Sequence, residues 1–209
     1  VNPRPDYRGK RTADVVIASV GLVLTLPLQA VIAVVVRTTS RGPAIHRGPR
    51  IGRGGRPFDI FKFRSMRVGA YAAGPAVTTS ADQRVTRVGT WLRRTKLDEL
   101  PQLLNVLRGE MSIVGPRPED PQFVARYTAE QREILDWRPG ITSPASVMFR
   151  DEESLLATAD DLHDAYAEVS ARKIAIDLDY FRTASFSGDV RWMIRTAAVV
   201  AGRSPEPGR

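Results

Sequence analysis

With 209 residues, 31 basic and 23 acidic, the chain is long enough for one domain with a real core, and its net charge of +8 favours an anionic partner: nucleic acid, a phosphorylated substrate or acidic lipid. The absence of cysteine excludes disulfides, thiolate metal sites and a cysteine nucleophile. Only two histidines occur, His46 and His163, far apart in sequence, which argues against a histidine zinc site and a Ser–His–Asp triad.

The first informative segment is Val15–Val36, mostly Val, Leu, Ile and Ala, with no charge inside. It has about the length of a membrane-crossing helix, roughly 20 residues. Pro27 interrupts it, removing one helix hydrogen bond and freeing the carbonyl of Val23, which Ser19 or Thr25 is placed to satisfy. Lys10 and Arg11 precede the segment, while Arg37, Arg41, Arg47, Arg50, Arg53 and Arg56 follow it. Basic flanks stay cytoplasmic, and here both flanks are basic. A re-entrant helix–break–helix that enters and leaves by one leaflet reconciles the two; an ordinary single span is the simpler alternative.

Between Arg37 and Arg67 the only acid is Asp59, and glycine and proline recur. Short alternating runs such as Phe58–Phe63 suggest hairpin strands or irregular loops. On a strand, Lys62 and Arg64 project from one face, suited to a diphosphate or to anionic lipid. Residues 69–82 are small and polar and read as a surface loop. From Arg84 through Arg87, Arg93 and Arg94 to Lys96 no acid occurs, and this cationic approach leads directly to Asp98 and Glu99.

Leu100, Leu103, Leu104 and Leu107 have the spacing of one face of a short helix. Asp98 suits its N-cap, Pro101 its first turn, and Gly109 its stop. The bland reading of the two carboxylates is therefore capping. Against it stands their company: cations that hold phosphate oxygens beside carboxylates that attack or coordinate a divalent metal. Gly115-Pro116-Arg117-Pro118 adds one guanidinium on a stiff turn. Further on, Gln122–Trp137 has a helical pattern ending at the breaker Arg138-Pro139-Gly140. Ile141–Phe149 favours a short extended segment, 151–189 is acidic and helix-prone, and Trp192–Ala201 is a short apolar helix, too short to span, that would lie in the interface or pack on the core. Ser204–Arg209 reads as a frayed tail.

Several motifs in order resemble the monotopic polyprenol-phosphate phosphoglycosyl transferases, the bacterial sugar transferase family. They are Lys10-Arg11 through Asp14; Lys62-Phe63-Arg64-Ser65-Met66; Arg84-Val85-Thr86-Arg87-Val88-Gly89; and Leu97-Asp98-Glu99-Leu100-Pro101-Gln102-Leu103. Met111–Pro118, Arg138-Pro139-Gly140-Ile141-Thr142 and a Lys173…Asp177…Tyr180…Ser185…Asp189 pattern complete the set.

The resemblance implies an α/β, mostly helical catalytic domain over 1–209 with a small β-hairpin element. Residues 15–36 form its re-entrant membrane helix, 37–203 its cytoplasmic or interfacial part with short interfacial helices, and 204–209 its tail. It implies an undecaprenyl-phosphate sugar-1-phosphate transferase type of enzyme at the cytoplasmic face of the bacterial inner membrane. Such an enzyme moves a sugar-1-phosphate from a nucleotide diphosphate sugar, a UDP-sugar, to a polyprenol phosphate and releases UMP, the first membrane step of glycan assembly. By motif, Asp98 is the nucleophile that forms a phosphoglycosyl aspartate, Glu99 its partner, and both are the expected ligands of Mg2+. Arg117 is expected on phosphate, and Lys62, Arg64, Arg84, Arg87 and Asp177 are further substrate-binding candidates. The expected partners are donor, lipid acceptor and membrane, with no nucleic acid and with homodimer formation open. This chain departs from many relatives at Leu26-Pro27, where they carry Ser-Pro, and at Ser143-Pro144-Ala145-Ser146, where they carry Gly and Gln; the second bears on donor preference. The alternative of another class is a non-catalytic basic membrane module that binds acidic lipid or nucleic acid.

Overall fold

The computed structural model describes residues 6–70, 82–152, 156 and 161–202. Most of residues 69–82 and the tail 204–209 lie outside the described residues. The described chain is mostly helical, with two small sheets and one long apolar helix near its start.

That helix, α1 (Lys10–Thr39), is 30 residues long, about 45 Å at the helical rise of 1.5 Å per residue. The expected helix–break–helix is one continuous helix here, with Pro27 inside it. The Thr25 hydroxyl donates to the Gly21 carbonyl at 2.7 Å, not to the Val23 carbonyl that Pro27 leaves without its donor. Gln29 in turn donates to Thr25 Oγ1 at 2.9 Å. One stripe of α1, including Asp14, Ala18, Ile32 and Val36, is buried against the rest of the chain. The other faces outward, with Val23 71% and Leu24 74% exposed. A soluble core helix would bury such side chains, at roughly 1.5–3 kcal/mol each.

The polar and small residues of α1 hold it in place. Lys10 donates to the Asp189 carboxylate at 2.6 Å and to the Val114 carbonyl at 2.9 Å. Asp14 accepts from the Ile113 N–H and the Ser112 hydroxyl, both at 3.0 Å. Gly21 leaves room for Leu103. At the far end, Arg64 donates to the carbonyls of Val36, Ser40 and Arg41 and so caps the C-terminus.

The predicted hairpin forms from β1 (Ile45–Ile51) and β2 (Pro57–Phe63), antiparallel with Ile45 opposite Phe63 and His46 opposite Lys62. Helix α2 (Arg87–Thr95) starts where Thr86 accepts from the Gly89 N–H. It ends at Lys96, which adopts φ 57°, the left-handed region, alone among the described non-glycine residues. A 3-10 turn over Leu97–Glu99 then carries both carboxylates into α3 (Gln102–Arg108). Gly109, at φ 81°, stops α3 as expected. The buried side of α3 is Leu103 and Val106 together with Gln102 and Asn105, whereas Leu104 is 40% exposed.

A second sheet, absent from the sequence reading, pairs β3 (Ser112–Val114) in parallel with β4 (Gly140–Thr142). It depends on Gly115 and Gly140, whose backbones approach so closely that a Cβ on Gly140 would lie 2.1 Å from the Gly115 nitrogen. The helix predicted over Gln122–Trp137 is instead a short helix α4 (Pro121–Val124) and a 3-10 turn over Gln131–Asp136. The extended segment predicted over Ile141–Phe149 survives only in β4, because Ser143 caps a new helix, α5 (Pro144–Met148), through the Ser146 N–H. Two longer helices, α6 (Leu162–Phe181) and α7 (Phe186–Val200), complete the described fold. The main core gathers Ala18, Leu103, Val106, Met111, Val114, Trp137, Leu178 and Phe181 from these elements. A smaller cluster of Ile32, Val36, Phe63 and Leu92 seats the far end of α1.

Candidate active site

A cleft of about 800 Å³ opens between the hairpin, the 3-10 turn of Asp98 and Glu99, the Arg117 turn and α6. Its position follows from Asn105. That buried side chain accepts from the Phe61 N–H at 3.0 Å and donates to the Asp59 carbonyl at 2.7 Å, stitching α3 to the backbone of β2. The turn just ahead of α3 is thereby held beside Lys62.

Within the cleft the two carboxylates have different environments. Glu99 accepts from Lys62 Nζ at 2.7 Å and from Arg117 Nη2 at 3.5 Å, both at Oε1. Burial alone would raise its pKa, but Lys62, Arg117 and Lys96 outweigh that and hold Glu99 well below the usual carboxylate range. Asp98 is 6% exposed, and its Oδ1 is buried without a hydrogen-bond partner. Burial first, and the Glu99 charge second, push its pKa from 3.8 up to about 6, against the pull of Lys62, Lys96 and Arg93. Two neighbouring carboxylates whose pKa values are driven apart define two roles. Glu99 is a fixed anion, whereas Asp98 is the more basic group with an oxygen to offer. Capping is excluded for that oxygen, since nothing donates to Asp98 Oδ1.

The remaining sequence candidates divide. Lys62 and Arg117 both pair with Glu99, and the Arg117 side chain is 38% exposed. Lys62 and Arg64 both line the cleft, but they do not act from one strand face: Arg64 is buried and binds the end of α1. Arg84 lines the cleft with its guanidinium bound to Asp82 at 2.6 Å and to the Ala70 carbonyl at 2.9 Å. Arg87 is an exposed first residue of α2, outside the cleft lining. Asp177 is buried outside that lining and accepts from the Ala145 N–H at 2.9 Å, at the start of α5. Burial pushes its carboxyl up to about 7, against the hydrogen bonds from Ala145 and Ser143.

The sequence reading gave no role to the wall that α6 builds. Tyr166 donates to both oxygens of Glu119, at 2.9 and 2.8 Å, and Lys173 pairs with Glu152 at 2.7 Å. Tyr166, Lys173 and Asp177 share one face of α6, a spacing visible in the sequence, but their partners come from distant segments.

Among the described residues no three His, Cys, Asp or Glu side chains gather around a common point. A magnesium ion does not require such a cage, since it is held by one or two carboxylates, substrate phosphates and water. The unpartnered Asp98 Oδ1 beside Glu99 is a hard oxygen donor set of that kind.

The site is thus a buried carboxylate pair in unlike environments, in a cation-lined cleft of a chain that carries one exposed apolar helix. The profile described as bacterial sugar transferase matches residues 6–203, and the chain belongs to that enzyme family. It is 41% identical over 203 residues to an undecaprenyl-phosphate glucose phosphotransferase of Komagataeibacter xylinus, covering 91% of this chain and 35% of that one. It is 39% identical over 198 residues to a UDP-glucose:undecaprenyl-phosphate glucose-1-phosphate transferase of Caulobacter vibrioides, covering 90% and 67%. To a UDP-N-acetylgalactosamine-undecaprenyl-phosphate N-acetylgalactosaminephosphotransferase of Aeromonas hydrophila it is 36% identical over 191 residues, covering 88% and 41%. The chain thus spans well under half of the Komagataeibacter and Aeromonas relatives.

Proposed function

We propose that the chain transfers a sugar-1-phosphate from a UDP-sugar to undecaprenyl or a related polyprenol phosphate by two displacements at one phosphorus. The observation that carries this reading is the asymmetry of the dyad: Asp98 keeps a buried, unpartnered oxygen while Glu99 is clamped by Lys62 and Arg117. A carboxylate of raised basicity, ionised above about pH 6, is the better nucleophile of the two.

In the first displacement an Asp98 oxygen attacks the phosphorus that bears the sugar. The bond from that phosphorus to the bridging oxygen breaks, and UMP leaves with the electron pair. In the second, an oxygen of the polyprenol phosphate attacks the same phosphorus and the Asp98 carboxylate leaves, which regenerates the enzyme. Lys62 and Arg117 neutralise charge on the diphosphate, and burial of the turn keeps water from the acyl phosphate. Asp98 and Glu99 would hold Mg2+, which supplies charge neutralisation on the phosphate oxygens when bound. Asp98→Asn is expected to abolish UMP release from UDP-sugar plus lipid phosphate while leaving the protein folded and membrane-bound. An Asp98→Asn protein that turns over defeats the nucleophile assignment.

The same reading places α1 in one leaflet, with the rest of the chain on the cytoplasmic face of the bacterial inner membrane. Both ends of α1 are bound by one body: Lys10 and Asp14 near the start, Arg64 and the Phe63–Leu92 cluster at the end. A crossing helix would require charged neighbours such as Asp189 and Arg64 to lie on opposite sides of the bilayer. Phe186 and Ile194 of α7, Met148 of α5 and Trp91 of α2 are exposed apolar side chains suited to the same interface. The chain has no cysteine, so Arg8→Cys and Arg56→Cys can each be labelled cleanly. Labelling from the same side of sealed vesicles supports the re-entrant reading, and opposite sides would mean a true span.

A further inference from the structure

Beyond the Arg117 guanidinium the cleft changes character. Arg117 reaches Glu99 Oε1 at 3.5 Å, and two further carboxylates, Glu119 and Glu152, line the same cleft. Glu119 is already engaged at both oxygens: the single proton of the Tyr166 hydroxyl lies between them, and the Asp120 N–H donates to Oε2 at 3.4 Å. Glu152 is not. Its Oε2 accepts from Lys173 at 2.7 Å, but its Oε1 is buried without a partner, and the residue lines the cleft.

The position of Glu152 is built rather than incidental. Asp177 receives the Ala145 N–H at the start of α5, and the Glu152 N–H donates to the Phe149 carbonyl just beyond its end. Lys173, one turn before Asp177 on α6, then fixes the Glu152 carboxylate. α6 thus holds the 143–152 segment at both ends and fixes the Glu152 carboxylate in the cleft wall.

We infer that Glu152 is a specificity-determining residue, whose unpartnered Oε1 accepts a hydrogen bond from a hydroxyl or amide N–H of the donor's sugar ring. The inference rests on the transferase reading above. The sugar is attached to the phosphorus that Asp98 attacks, so it must lie within a ring's breadth of the dyad. Glu152 lines the same cleft as the dyad and Arg117. A carboxylate oxygen offers only acceptance, which suits a ring of hydroxyls; a uracil face also needs donors to its two carbonyls. Lys173 is the positioning residue that holds Glu152.

The test is UMP release by wild type, Glu152→Gln and Glu152→Asp from UDP-glucose, UDP-galactose, UDP-N-acetylglucosamine and UDP-N-acetylgalactosamine. Inhibition by UMP is measured alongside. The expected result is that both variants lose about 10- to 100-fold in kcat/KM for the donor preferred by wild type, the worth of one hydrogen bond to a charged group. They lose much less for the others, so the ranking flattens, and inhibition by UMP stays within about twofold. An equal loss on all four donors, a parallel loss of UMP affinity or an unchanged ranking each overturns the inference. Glu152→Asp retains the charge for Lys173 while withdrawing the oxygen, so it keeps the test open where Glu152→Gln fails to fold. A wild-type protein that releases UMP from none of the four defeats the transferase reading instead.

Discussion

Asp98→Asn should make the protein more stable as well as inactive, and the gain should depend on pH. In the folded chain the Asp98 pKa is pushed from 3.8 to about 6, mainly by burial. At about 1.4 kcal/mol per unit, the ionised form is disfavoured by about 3 kcal/mol relative to the unfolded chain. Because the folded state holds its proton more tightly, stability falls as pH rises from about 4 to about 6 and stays lower above that. Asparagine removes the buried charge and leaves the shape nearly unchanged. At pH 8 in EDTA the variant should therefore unfold several degrees above wild type, since about 1 kcal/mol moves Tm by about 2–4 °C at this size. At pH 4, where Asp98 is protonated in wild type too, the gap should close. Thermal unfolding of both proteins in one detergent across pH 4–8 measures this. A variant that is equally or less stable at pH 8 would show that Asp98 is an ordinary satisfied cap.

Other outcomes follow from neighbouring contacts. Lys62→Met removes the 2.7 Å partner of Glu99, so the pKa values of both carboxylates should rise and the acid limb of the kcat/KM profile should move to higher pH; an unmoved limb argues against the pair. Arg64→Ala should destabilise by about 2–4 kcal/mol by uncapping α1, with membrane binding retained, as read by unfolding and vesicle flotation. Asp189→Asn leaves Lys10 buried without its ion pair and should cost about 3–5 kcal/mol. Lys96→Gly relieves a left-handed lysine at φ 57°, worth about 1 kcal/mol, yet removes a cation beside Asp98. It should raise Tm slightly while lowering kcat/KM.

Local chemistry made much of this legible. The hairpin follows from alternation over Phe58–Phe63, the end of α3 from Gly109, and the apolar helix from an uncharged run. What the sequence withheld depends on long-range partners. Arg64 reads as a phosphate ligand until the end of α1 is seen to claim its donors. Asp177 reads as a site residue because a lone carboxylate in a motif gives no sign that the Ala145 N–H awaits it. The parallel pairing of β3 and β4 rests on two glycines in contact, Gly115 and Gly140, which local patterning assigns separately to turns. The different environments of Asp98 and Glu99 leave no mark in the local sequence, where only the family resemblance separates the two, since they depend on Lys62 arriving from β2.

The proposed transfer turns on a covalent bond between Asp98 and the sugar-bearing phosphate, and direct trapping tests it. Purified protein mixed with a UDP-sugar and Mg2+, without lipid phosphate, is quenched and digested, and the peptide spanning the dyad is weighed. One sugar-1-phosphate should be found on Asp98, removed by hydroxylamine and by added polyprenol phosphate. A peptide of unaltered mass, despite UMP release when lipid is present, would mean that the acceptor attacks the donor directly.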